Sequence, residues 1–223
     1  MTRSLGAALR HCGIILLVLS AILGMGLSKA QAKDKSGSED AVTILVYNYV
    51  QAPAKRLIEA ERQATAILGR AGVHPFWLDC PLPLPEDGRV CRRGFTAVTF
   101  RLAVLSAVKR SPLVDPLFGV ALPPDFAGVY YDSLPPLPAG DQSQFDADLV
   151  LGCVMTHEIG HLLLGKREHS IAGIMRQRWG PEDIRMALRG ELVFLPEEAK
   201  LIRSAMRVYR EPRGVKIAAS RPK

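Results

Sequence analysis

Residues 41–78 run AVTILVYNYVQAPAKRLIEAERQATAILGRAGVHPFWL, and the reading of this stretch decides the fold. Ala41–Tyr49 is rich in β-branched and aromatic residues, the composition of a strand. Pro53 follows at a first helical position, where a missing N–H costs no bond. From Ala54 to Leu68 the apolar residues Leu57, Ile58, Ala64, Ile67 and Leu68 recur at helical spacing, and Gly69 and Gly72 stand beyond them as stops. Val73–Leu78 then predicts a second strand. Further on, Phe95–Val104 alternates as a third strand would, the proline-punctuated segment Ser111–Pro124 follows, and Gly119–Leu122 and Gly128–Asp132 predict short fourth and fifth strands.

After the Pro- and Gly-rich stretch Leu134–Gly140 the pattern turns helical. One long helix is expected over about Gln144–Leu164, and two shorter ones over Pro181–Arg189 and Pro196–Tyr209, each opened by proline and then acids. This order predicts an α+β fold: a mixed twisted sheet, an active-site helix and a small C-terminal helical subdomain, all within residues 41–210.

The flanks read differently. Arg3, Arg10 and His11 precede a charge-free apolar run, Gly13–Leu27, and Ala30-Gln31-Ala32 then offers small residues at signal-peptidase spacing. At 15 residues that run falls short of the roughly 20 a membrane-spanning helix needs. Residues 1–32 are therefore expected to be a signal peptide, which sends the chain to the periplasm or out of the cell without a stable membrane association. An uncleaved anchor is the alternative. A polar linker, 33–40, follows.

The formal net charge is +7, and residues 1–32 carry three of those charges (Arg3, Arg10, Lys29) with no acid, so four remain. Much of the remainder sits near the C-terminus, from Arg203 to Lys223, without interleaved aromatics. That pattern excludes a nucleic-acid surface and predicts a solvated, disordered basic tail over 211–223. Cys80 and Cys91 bracket a Pro-rich loop that a disulfide could close in an oxidising compartment. Cys153 lies in an apolar helical stretch, as a small buried residue does. Nothing in the sequence sets the oligomeric state.

The chemistry is concentrated in His157-Glu158-Ile159-Gly160-His161. Four positions apart on a helix, His157 and His161 project from one face and can reach one cation. Glu158, one step round, can stand beside a metal-bound water without ligating the metal. The surrounding residues, Val150, Val154, Ile159 and Leu162–Leu164, are apolar. Two imidazoles and a carboxylate buried there without partners would be costly, and a shared metal removes that cost. A catalytic zinc takes three protein ligands and keeps one position open. His169 lies eight residues after His161, beyond a glycine, Gly165, suited to ending the helix in a left-handed conformation.

The run HEIGHLLLGKREHSIAGIM, residues 157–175, resembles the metzincin superfamily of zinc peptidases, whose pattern is H-E-x-x-H-x-x-G-x-x-H with a later methionine-bearing turn. The resemblance implies His157, His161 and His169 as zinc ligands, Glu158 as general base, Gly165 as the turn glycine and Met175 as the Met-turn methionine. It also implies a peptide or protein substrate. The glycine comes one residue later than the pattern and the histidine two residues later. Thermolysin-like enzymes instead take a downstream glutamate, and Glu182, 21 residues beyond His161, is the rival third ligand.

The expectation is thus an exported zinc endopeptidase, with a catalytically silent exported zinc-binding or interaction module as the alternative. Among other residues, His74 is expected to be structural and Trp179 to pack the C-terminal helices. Tyr130 and Tyr131 could border a cleft where a peptide adds as a strand, or equally be ordinary strand residues.

Overall fold

The computed structural model of the chain describes residues 41–84, 88–107, 118–134, 144–165 and 169–210. The expected signal peptide, polar linker and basic tail lie outside them. The elements are β1 (Ala41–Asn48), α1 (Ala54–Arg70), β2 (His74–Cys80), α2 (Val90–Arg93), β3 (Val98–Leu105), β4 (Gly119–Leu122), β5 (Phe126–Tyr130), α3 (Gln144–Leu164), α4 (Pro181–Leu188) and α5 (Pro196–Arg210). The strands form one sheet in the order β2-β1-β3-β5-β4. β1 pairs in parallel with β2 and β3, β3 pairs in parallel with β5, and β4 alone runs antiparallel, on the outer side of β5. The expected mixed sheet and α+β composition are present.

Alternation along the strands sorts the side chains between two faces. Val42, Ile44 and Val46 of β1, Phe100, Leu102 and Val104 of β3, and Ala127 and Val129 of β5 join the main core beneath the helices. The intervening Leu45 packs into a second, smaller cluster with Cys80 and Cys91. The helix α1 ends by the geometry its glycines predict. Gly72 has φ +84°, and the N–H groups of Gly72 and Val73 donate to Gly69 O and Leu68 O at 3.0 Å each. This Schellman closure seats Leu68 and Val73, both fully buried, in the core.

The long α3 is apolar nearly all round. By length and composition Asp146–Leu164 could cross a membrane, but 89% of that window is buried inside the fold, as befits a central core helix. Leu151, Met155, Ile159, Leu162 and Leu163 are each 0–2% exposed, and burying each such side chain contributes about 1.5–3 kcal/mol. Gly152 lets α1 approach closely, since a Cβ there would meet Ala60 O at 2.4 Å. The Arg56–Asp148 pair at 2.5 Å ties the start of α1 to the start of α3, and the Arg56 guanidinium lies 4.7 Å from the Tyr131 ring centre.

Element limits differ from the sequence reading where side chains or neighbours take over the backbone bonds. β3 begins at Val98 rather than Phe95, because the N–H groups of Phe95 and Thr96 donate to Thr43 Oγ1 at 2.9 and 3.1 Å instead of entering the ladder. β2 runs on to Cys80 because β1 continues to pair with it as far as Tyr47. The short α2 was not expected from the sequence.

Candidate metal centre

The helix α3 supplies the first two imidazoles of the site, and its own burial makes them rigid. His157 and His161 are 9% and 5% exposed, with ring centres 4.8 Å apart. The Nδ1–H of His157 donates to Ile174 O at 2.7 Å, which leaves Nε2 as the ring's lone-pair nitrogen. That Nε2 stands 3.2 Å from Nε2 of His161. His169 reaches the same point from the loop beyond Gly165, with ring centres 5.4 Å from His157 and 4.9 Å from His161. One nitrogen from each of the three rings lies within 4.8 Å of the others, a group that could hold a metal ion. Three imidazoles suit a borderline cation such as zinc.

Gly165 has φ +64°, so the helix does end in a left-handed turn there. The following loop is pinned at several points. Gly173 has φ +72°, Ile174 N–H donates to Val193 O at 2.9 Å, and Ser170 N–H donates to Met175 O at 2.9 Å. Met175 is 1% exposed and lies against Gly160, where an added Cβ would meet its Sδ at 2.6 Å. The glycine inside the HEIGH motif is therefore the space Met175 needs.

A cavity of about 280 Å³ opens on the three histidines and Glu158. One wall is β4 with its preceding Phe118, and Val154, Arg176, Gln177 and Trp179 complete the lining. Glu158 is 6% exposed and lies against β4, since a Cβ on Gly119 would meet its Cγ and Oε1 at 2.6 Å each. Burial pushes the Glu158 carboxyl up to about 8. Burial also pulls His157 down to about 4, with the Ile174 bond opposing and the neighbouring imidazoles adding to the fall. His169 is lowered by burial too. A histidine kept neutral is in its ligating form.

Glu182 lies apart from this group. It is exposed on α4 and forms ion pairs at 3.2 Å with Arg185 and with Arg189, whose hydrogen bonds hold its carboxyl below the usual range. His74 is exposed at the start of β2. Trp179 packs against the main core and also lines the cavity, its ring centre 5.9 Å from His157 and 6.4 Å from Phe118. Of the two readings open for Tyr130 and Tyr131, the ordinary one holds: neither lines the cavity, which is bordered by β4 on the outer side of β5. Phe118, Gly119 and Trp179 were missed as site residues. Their neighbourhood is created by sheet order and a loop return, and no local sequence signal announces either.

Cys80 and Cys91 lie at disulfide distance with Cα atoms 5.7 Å apart, and Cys153 is a buried free thiol. No model of a known protein family matches the chain, and no curated protein does so either.

Proposed function

We propose that this chain is an exported zinc-dependent endopeptidase of metzincin-like type, with His157, His161 and His169 as the zinc ligands and Glu158 as the general base. One observation carries the reading. Three imidazole nitrogens converge next to a buried carboxylate, in a cavity walled by an edge strand. A zinc ion held there would supply a Lewis acid for the scissile carbonyl and lower the pKa of water.

The protein's own groups do the rest. The bond from His157 to Ile174 aims its Nε2 inward and fixes its tautomer. Glu158 takes the proton of the attacking water and passes it to the departing amine. Among the described residues β4 pairs on one side only, so its other edge can accept an extended peptide as an additional strand across the cavity. Met175 packed beneath the motif helix matches the role of a Met-turn. The Cys80–Cys91 pair agrees with an oxidising compartment outside the cytoplasm.

Glu158→Gln tests the mechanism. Digestion of a peptide library, with a chelator control, is expected to fall at least 100-fold while zinc content stays near one per chain. Undiminished hydrolysis by the variant, or hydrolysis by wild type that survives complete zinc removal, overturns the reading.

A further inference from the structure

The first two ligands in this reading sit on a buried helix, whereas His169 is exposed and stands on a loop. A ligand on a loop is only as well placed as its backbone, and the backbone next to His169 is held by its neighbour Ser170. The Ser170 hydroxyl donates to Oε1 of Glu198 on α5. The other oxygen of that carboxylate, Oε2, accepts the N–H of Leu195, just before α5 begins, at 2.8 Å. Glu198 is 4% exposed. Its neighbour Glu197 is exposed in the same first turn and can serve the helix dipole without any burial. Burying a carboxylate is costly unless its oxygens are satisfied, and these two bonds join the ligand loop to the C-terminal helix.

From this geometry we infer that Glu198 is a positioning residue for the metal site: through Ser170 it fixes the backbone of His169 and so couples the docking of α5 to metal affinity. The inference rests on His169 being a ligand. Partners that hold ligands in place without touching the metal are commonly worth 10–100-fold in metal affinity. Ser170→Ala removes the tether while leaving the Glu198–Leu195 bond at the helix start. It separates positioning from simple loss of α5. Ser170→Thr keeps the hydroxyl.

The experiment measures zinc affinity of the full chain by chelator competition, alongside the visible absorption of the cobalt-substituted protein and thermal melts. Ser170→Ala and Glu198→Ala are each expected to weaken zinc binding about 10–100-fold and to alter the cobalt spectrum in the direction His169→Ala does. Ser170→Thr is expected to restore both, and Glu197→Ala to change neither. The effects of Ser170→Ala and Glu198→Ala should not add when combined. If His169→Ala weakens binding while Ser170→Ala leaves affinity and spectrum as in wild type, the positioning role is overturned and the ligand assignment stands. If His169→Ala itself leaves zinc affinity unchanged, the ligand assignment falls, and the inference with it.

Discussion

Gly119 has no side chain, and the space a side chain would take is filled by Glu158. An added Cβ would lie 2.6 Å from Cγ and Oε1 of Glu158 and also from Gly128 O across the β4–β5 pair. The backbone oxygen belongs to a sheet and cannot move far, so the carboxylate must yield. A displacement of about an ångström in a reacting group can cost on the order of 100-fold in rate. Gly119→Ala is therefore expected to lower kcat by about that factor with zinc content unchanged, as assayed by peptide hydrolysis beside metal analysis. A variant with wild-type kcat would mean that the Glu158 position seen against β4 is not the working one. At this scale the sequence disclosed the motif residues and their spacing, because i and i+4 on a helix is a local geometry. It did not disclose Gly119, since nothing in Phe118–Leu122 refers to a residue some 40 positions later.

At the scale of elements, four of the five helices and most strands were legible from apolar pattern together with proline, glycine and acid signals, while the short α2 was not. The α1 stop at Gly72, the α3 limits at Gln144 and Leu164 and the β4 limits all agree with local pattern. The limits that shifted are those set by partners distant in sequence, such as Thr43 capturing the backbone of Phe95 and Thr96. Helix α1 also carries a feature no periodicity reveals. Oε1 of Glu61 is buried with no hydrogen-bond partner among the described residues. Burial, and then the charge of Asp79, push its carboxyl from the usual 4.5 up to about 8. The folded chain thus keeps a proton that the unfolded chain releases between those values. Below pH 4.5 there is little ionisation penalty, through the window that penalty on folding grows, and above about 8 it is complete. Glu61→Gln is expected to melt close to wild type at pH 4.5 and several degrees higher at pH 8.5. Thermal melts across that range check it, and a gap that does not widen with pH would show that Glu61 is satisfied in solution.

Across the whole molecule, strand order was the least legible property. The sequence pattern set no strand order; in the sheet β5 lies between β3 and β4 and leaves β4 as the rim of the cavity. Strands β1, β3 and β5 of that order all contribute to the core that α3 also joins, a property of the assembled fold rather than of any one segment. At the opposite edge, β2 ends in the Cys80–Cys91 bridge, and the Tyr47 hydroxyl donates to Cys91 O at 2.6 Å. The bridge spans 11 residues and belongs to the small cluster with Leu45, separate from the core beneath the motif helix. Closing a loop of that size removes unfolded-state entropy worth about 2.5–3 kcal/mol, while the candidate metal-site residues lie beside β4, at the other edge of the sheet. Stability and metal binding should therefore part company on reduction. Cys80→Ser/Cys91→Ser, or wild type in reductant, is expected to melt roughly 5–10 °C lower. Zinc affinity and peptide hydrolysis measured well below that melting point should remain at the wild-type level. An unchanged melting temperature would show that the bridge does not hold the fold. Loss of zinc from a protein still folded would show instead that the two ends of the sheet are coupled, against the separation of their cores.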